Sequence, residues 1–427
     1  MPPVALPSTQ NPLDNISYED LYRRWERGNW QATALDFSRD AEQWRSDFTE
    51  LERKAAVWNY SLFFWGEDAV TDGLSPYIDA APLEEQKYFL ATQQADEARH
   101  AVFFNRFMNE VVGIGGDRIS DGLAAIKPEL TWGFERVFDR LVTMSDELRK
   151  DRSIPKLAAA VTLYHVVIEA TLAQPGQHFI TSYLTGRDLL PGFSEGMEKV
   201  AADEQRHIGF GVKLLSDLRR MDPDVPYAVG DLLREVIPYT AAVLIPPDFD
   251  MRYIECFGFT LEDIGEEGAN SLDTKMRSAG LPIEELPGPP VFPVPGTARE
   301  RAERGHRMVR AGYLGEKLGP PSQDPADMEV FFETVAGGLD ASAVSEPGVI
   351  QWRFRDADPW HVVVANGDTR AERGLAPSAR VTFKSSFEDF VDVVAGRQDP
   401  RKLALLGRMR YRGDLRWLWK SRRMFPA

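Results

Sequence analysis

The chain has 427 residues, is 43% hydrophobic and carries a net charge of −16. That length allows two domains with real cores, and the acidity excludes nucleic acid as the main partner, because phosphate binding needs a basic field. The one cysteine, Cys256, excludes an internal disulfide and fits a reducing compartment. Met1 to Gln10 lacks a basic stretch followed by an apolar run, and no stretch of about 18 apolar residues stands out. The expected location is the cytoplasm, with no transmembrane segment.

In chain order, residues 1–15 read as a flexible arm. Apolar residues at spacings of three and four then predict long helices from about Asp40 to Thr71, Leu83 to Val112, Leu130 to Arg149, Lys156 to Leu184 and Phe193 to Leu218. Pro175-Gly176 falls inside the fourth and predicts a kink. Helices of this length suit a bundle. A less regular helical stretch follows Val229, so a first domain is expected over residues 16–286. Residues 287–326 open with Leu286-Pro287-Gly288-Pro289-Pro290 and Pro293-Val294-Pro295-Gly296, a stiff Pro/Gly-rich linker, and carry a short charged helix, Ala298 to Gly312. Residues 327–427 alternate predicted strands (Val349–Phe354, Trp360–Ala365, Ala379–Lys384, Arg408–Arg412) with helices (Asp327–Gly337, Phe387–Gly396, Arg401–Leu406, Leu415–Met424). This predicts a small α+β domain.

Two pentapeptides repeat one chemistry: Asp96-Glu97-Ala98-Arg99-His100 and Asp203-Glu204-Gln205-Arg206-His207. Each places a carboxylate and an imidazole one helical turn apart, within reach of one ion. Glu67 and Glu169 lie on other helices in apolar surroundings, where an unpaired charge is expensive to bury. The order Glu, Glu-x-x-His, Glu, Glu-x-x-His is the ligand pattern of ferritin-like di-iron and di-manganese bundles. Four carboxylates and two neutral imidazoles offset two divalent ions. An oxygen-rich set without thiolate suits iron or manganese. The expected ligands are therefore Glu67, Glu97, His100, Glu169, Glu204 and His207. Asp203, and less strongly Asp96, is expected to hold a ligand imidazole from outside. His165 reads as a hydrogen-bonded core histidine.

At these residues the chain, over about Leu21 to Pro287, resembles the ribonucleotide reductase small-subunit superfamily, and within it the ligand-binding oxidases. That resemblance implies a heterodinuclear Mn/Fe site, or two Fe, and a homodimer. The oxidases carry a Val one turn after the first metal-binding Glu and a Tyr five residues before the third. Here these are Val70 and Tyr164, and the resemblance implies a tyrosine–valine ether cross-link formed with O2. Phe104 stands where the reductase subunits hold a radical Tyr, which argues against reductase function. The resemblance also implies a long-chain fatty acid, or other lipid-like ligand, beside the metals. Phe63, Phe103, Phe104 and Phe107 are the candidate wall, with plain core as the alternative.

From Asp327 the chain resembles the sterol carrier protein type-two fold, on Arg380-Val381-Thr382-Phe383-Lys384, Phe387-Glu388-Asp389-Phe390, Asp399-Pro400 and Leu406 to Asp414. Such a domain buries an apolar ligand. Arg408, Arg410 and Arg412 are expected on one strand face, and Arg416, Lys420 and Arg423 on one helix face, read as solvated. The expected function is an O2-using dimetal-carboxylate oxidase acting on a long-chain apolar ligand. The alternatives are a non-catalytic, metal-anchored lipid-binding protein and a di-iron acyl desaturase or hydroxylase.

Overall fold

The computed structural model describes residues 16–344, 346–365, 367–420 and 424. Four long helices frame the first domain: Glu50–Gly73, Glu84–Phe107, the continuous Ile154–Arg187 and Pro191–Met221. The single helix predicted from Asp40 to Thr71 is two, Ser38–Ser46 and Glu50–Gly73. Thr49 starts the second through a capping box with Glu52, in which each side chain bonds the other's backbone N–H at 3.2 and 2.7 Å. The second predicted helix ends in a wider π-helical turn, Met108–Val112, closed by Gly113 at φ 82°.

The helix from Ile154 holds the main departure from regularity. It does not break at Pro175; instead Thr162–Ala173 runs as π-helix directly upstream. Pro175 has no N–H to give the preceding turn, and Thr171 Oγ1 donates to the Val166 carbonyl five residues back at 2.7 Å. Ile154–Arg187 is also long and apolar enough to cross a membrane by length and composition, which corrects the expectation that no such stretch exists. Its most apolar window is 83% buried inside the protein, the pattern of a core helix.

Helix Trp132–Lys150 packs along the outside, and the chain continues through Val225–Thr240 and Leu261–Ser278. Helix Ala298–Arg310 joins the two domains by ion pairs on both sides. Arg299 meets Asp263 at 2.8 Å and Arg301 meets Asp273; Arg304 meets Glu333 at 2.8 Å and Arg310 meets buried Asp327 at 3.0 Å.

The C-terminal domain has a five-stranded sheet: β1 (Gly348–Phe354), β2 (Trp360–Ala365), β3 (Asp368–Arg373), β4 (Val381–Ser385) and β5 (Arg410–Gly413), in the order β3-β2-β1-β4-β5. β1 and β4 are parallel, with Ile350 opposite Val381; the other pairs are antiparallel. Sequence patterning missed β3, whose residues Asp-Thr-Arg-Ala-Glu-Arg carry no apolar alternation and lie at the sheet edge. Helices Pro325–Gly337 and Phe387–Val394 cover one face, where Phe332 stacks on Trp360 at 4.7 Å and Phe390 meets Trp352 at 5.1 Å.

Candidate metal centre

The six expected ligand side chains converge between the four long helices, all buried, none more than 7% exposed. Ligand atoms of Glu67, Glu97, His100 and Glu204 lie within 4.8 Å of one another, and so do those of Glu97, Glu169 and His207. Glu97 is common to both groups. The Glu97–His100 pair serves one group, as its spacing predicts. Glu204 sits nearer the other motif's imidazole: its Oε1 is 3.6 Å from His100 Nδ1 and 3.9 Å from His207 Nδ1.

Both imidazoles turn Nδ1 inward. His100 Nδ1 lies 3.2 Å from Glu67, and His207 Nδ1 lies 3.2 Å from Glu97. Their outer nitrogens are held crosswise: His100 Nε2 lies 3.2 Å from Asp203, and His207 Nε2 lies 3.0 Å from Asp96. Each Asp therefore supports the histidine of the other motif, which places Asp96 beside Asp203 in the same role. Arg206 donates to Asp96 at 2.7 Å and to Asp203 at 2.8 Å; Arg99 donates to Asp203 at 3.0 Å and also reaches Asp96. The indoles of Trp25 and Trp30 close the layer, donating to Asp96 and Asp203 at 2.8 Å each. Nothing in the local sequence pairs these tryptophans with the motifs; the N-terminal helix Tyr18–Gly28 carries Trp25 to the site.

One further residue was missed. Gln93, one turn before Glu97 and fully buried, donates to Glu169 Oε1 at 2.7 Å and to Tyr164 Oη at 2.9 Å, while its Oε1 lies 3.2 Å from His165 Nε2. His165 is thus the hydrogen-bonded core histidine expected, and burial pushes its imidazole down to about 3. Tyr164 Oη donates to Glu97 Oε1 at 2.6 Å. Five residues separate Tyr164 from Glu169. On an α-helix that spacing points them apart, but the i→i+5 register of the π segment brings both to the same side.

The electrostatics fit a pair of cations. Burial pushes Glu67 up to about 7 despite the nearby His100, and raises Glu169 and Glu204 as well, the neighbouring carboxylates adding to the effect. Burial also opposes ionisation of Glu97, yet His207 and His100 hold it well below the usual range. Both imidazoles would be depressed by burial but are raised by their carboxylate neighbours, Glu67 foremost for His100 and Glu97 for His207. Glu169 Oε2, Glu204 Oε2 and His207 Nδ1 are buried with no hydrogen-bond partner among the described residues. These are lone-pair atoms in an oxygen-rich set with two imidazoles, the donor chemistry of two hard-to-borderline divalent ions. Protons and metal ions compete for these lone pairs.

A cavity of about 70 Å³ opens beside the carboxylates, several times the space one water needs. Glu67, Glu97, Glu169 and Glu204 form its polar end. Val70, Tyr164, Phe63, Phe134, Phe138 and Ile168 are among its walls. Of the four phenylalanines proposed as wall, only Phe63 lines it. Phe103, Phe104 and Phe107 are not among its lining residues; they are fully buried in an aromatic cluster with Phe193 that packs against Phe63. Phe104 and Phe107 follow His100 at i+4 and i+7 on its own helix face, but their rings pack beyond the metal site, Phe104 on Phe63 at 5.8 Å and Phe107 on Phe193 at 4.1 Å. Phe134 and Phe138, from helix Trp132–Lys150, take the place assigned to them.

Residues 8–239 match the family model described as ribonucleotide reductase, small chain. The chain belongs to that family. Residues 340–425 match the SCP-2 sterol transfer family, and the C-terminal sheet domain is a domain of this kind. Among solved structures, small-chain relatives share the fold. One is a variant of an R2-like ligand-binding oxidase with an aerobically reconstituted Mn/Fe cofactor, 21% identical, covering 62% of this chain and 94% of that one, with a TM-score of 0.54. Another is the R2-like ligand-binding oxidase from Sulfolobus acidocaldarius, 23% identical, covering 66% of this chain and 93% of that one, with a TM-score of 0.53.

Proposed function

We propose that this small-chain family member is an oxidase that holds Mn and Fe, or two Fe, and uses O2 to oxidise a long-chain apolar ligand such as a fatty acid. The observation that carries the reading is the cavity in which four buried glutamates share walls with Val70, Tyr164, Asn59 and otherwise apolar side chains. Glu67, Glu97, His100 and Glu204 would hold one ion and Glu97, Glu169 and His207 the other. When bound, the metals supply the oxidising power that no side chain here possesses.

The protein's own part is orientation and dryness. Asp203 and Asp96 fix the two imidazoles with Nδ1 inward, leaving the hydrogen on Nε2. Gln93 holds Tyr164 and Glu169 in fixed relation, and Tyr164 keeps its phenolic proton on Glu97. The apolar wall suits the alkyl part of a ligand whose carboxylate would face the polar end. Val70, one turn from Glu67, is placed on the same cavity as Tyr164. Joining Tyr164 Oη to a Val70 side-chain carbon removes one hydrogen from each, with two electrons and two protons passing to O2.

Aerobic loading with both metals tests the reading. The intact mass should fall by two hydrogens, and a tryptic peptide pair containing Val70 and Tyr164 should run as one species. Extraction of the bound ligand before and after O2 exposure should give an apolar acid and its oxidised product. An untouched acid in both samples would favour a metal-anchored lipid-binding protein instead.

A further inference from the structure

The C-terminal 27 residues reverse the charge of the chain. From Arg401 to Ala427 there are nine Lys or Arg and one acidic residue, Asp414, in a protein of net charge −16. Arg401, Lys402, Arg410, Arg412 and Arg416 are exposed and form no ion pair among the described residues. Arg408 differs, reaching buried Asp389. Arg423, expected on a basic helix face with Arg416 and Lys420, lies outside the described residues.

Large apolar side chains stand exposed among these cations. Leu405 is 90% exposed, Leu406 62%, Trp419 67%, Tyr411 53% and Leu415 49%. They are five of the thirteen exposed large hydrophobics among the described residues, gathered in fifteen positions that run along the β5 edge of the sheet, a density above the ordinary scatter of single residues. The local fold holds them out. Helix Pro400–Leu405 ends in a turn at Gly407, φ 68°, with both leucines outward. β5 is the sheet edge. In helix Leu415–Lys420, Leu415 and Trp419 lie one turn apart, while Trp417 between them is buried and donates to the Glu346 carbonyl at 3.1 Å.

The patch borders an opening. Arg401, Leu405, Arg410 and Tyr411 line a groove of about 2540 Å³ that reaches Trp352 and Phe383 of the sheet and the Pro-rich segment Gly288–Pro295.

We propose that this face seats the C-terminal domain on an anionic lipid bilayer, with the mouth of the groove at the membrane surface. Unpaired arginines and lysine complement anionic headgroups, the leucines suit the acyl boundary, and Tyr411 and Trp419 suit the interfacial layer. A second copy of the chain fits poorly, because a two-fold contact would press one basic face on another. Nucleic acid would leave Leu405, Leu406 and Leu415 without apolar cover. The proposal does not rest on the oxidase reading, since this face belongs to the C-terminal domain and shares no residue with the metal centre.

Co-sedimentation of the full-length protein with phosphatidylcholine vesicles, with and without about 30% phosphatidylserine, tests it. Binding is expected only with the anionic lipid, and weakens as salt rises. The R410E/R412E/R416E variant should bind at least about tenfold more weakly, and L405S/L406S should also lose affinity. Unchanged metal content and helical signal would show both variants folded. The proposal is overturned if the anionic vesicles fail to retain the protein at low salt, or if the triple charge reversal leaves retention unchanged. It is also overturned if L405S/L406S abolishes a concentration-dependent dimer while vesicle binding persists.

Discussion

Among the described residues of the C-terminal domain, three carboxylates are buried and each faces cations: Asp327 meets Arg307 and Arg310, Asp389 meets Arg355 and Arg408, and Asp392 meets Lys317 and Arg397. Between the long helices of the first domain, Glu67, Glu97, Glu169 and Glu204 face one another and two imidazoles, with no lysine or arginine among the described residues in contact. The arginines of that region, Arg99 and Arg206, are spent on the outer layer, Asp96 and Asp203. One domain neutralises its buried charge with its own side chains; the other leaves a deficit of positive charge at its centre. A buried cluster lacking its counter-ions is the physical signature of a cation site.

Five measurements test this contrast. The largest effect belongs to the self-sufficient domain. F332A removes a fully buried ring stacked on Trp360 and should cost that domain about 3–5 kcal/mol, seen as a separate calorimetric transition that moves while the metal-dependent one does not. Next, D203N and D96N should each lower metal affinity roughly 10–100-fold in chelator competition. Because the supports are crossed, D203N should release first the ion contacted by His100, and D96N the ion contacted by His207, as read by anomalous scattering at the two metal edges. A non-crossed outcome would break the assignment. Third, Q93L should cost roughly 1–2 kcal/mol of stability and reduce the two-hydrogen mass loss, whereas a variant that merely loosened packing would leave that loss intact.

Fourth, the two kinds of buried carboxylate should respond oppositely to neutralisation in metal-free protein. E204Q should raise stability by about 1 kcal/mol, because the neutral amide removes the cost of protonating a buried carboxylate, while D389N should lower it by a similar amount by stranding Arg408. The smallest effect concerns the capping box. Burial would raise Glu52, but Tyr183 at 2.7 Å, the Thr49 backbone and Arg187 at 2.9 Å hold it down to about 2. A depressed carboxylate stabilises the fold above its ordinary value, near 4.5, and loses that contribution as pH falls toward 2. The difference in unfolding midpoint between wild type and E52Q should therefore be constant above pH 5 and vanish near pH 2, and should amount to roughly 1 kcal/mol at neutral pH.

Much of this was open to reading in one dimension because helical periodicity is local. Glu and His three residues apart share a helix face whatever the rest of the chain does, so the candidate ligands Glu67, Glu97, His100, Glu169, Glu204 and His207, which the fold brings together, could be named from spacing and apolar context. The break at Thr49 was equally local, since Thr-Glu-Leu-Glu is a capping signal. β3 escaped because a charged edge strand needs only one neighbour and shows no alternation.

Everything that depends on which helix faces which was settled by packing. The crossing of Asp96 to His207 and Asp203 to His100, the arrival of Trp25 and Trp30, the clamp of Gln93 on Tyr164, and the choice of Phe134 and Phe138 over Phe103 and Phe107 as cavity wall join residues far apart in the chain. Even the alignment of Tyr164 with Glu169 required the π register upstream of Pro175. Sequence spacing determines which residues can share a face; packing determines what that face meets, because contact between helices depends on their mutual rotation, which no single helix encodes.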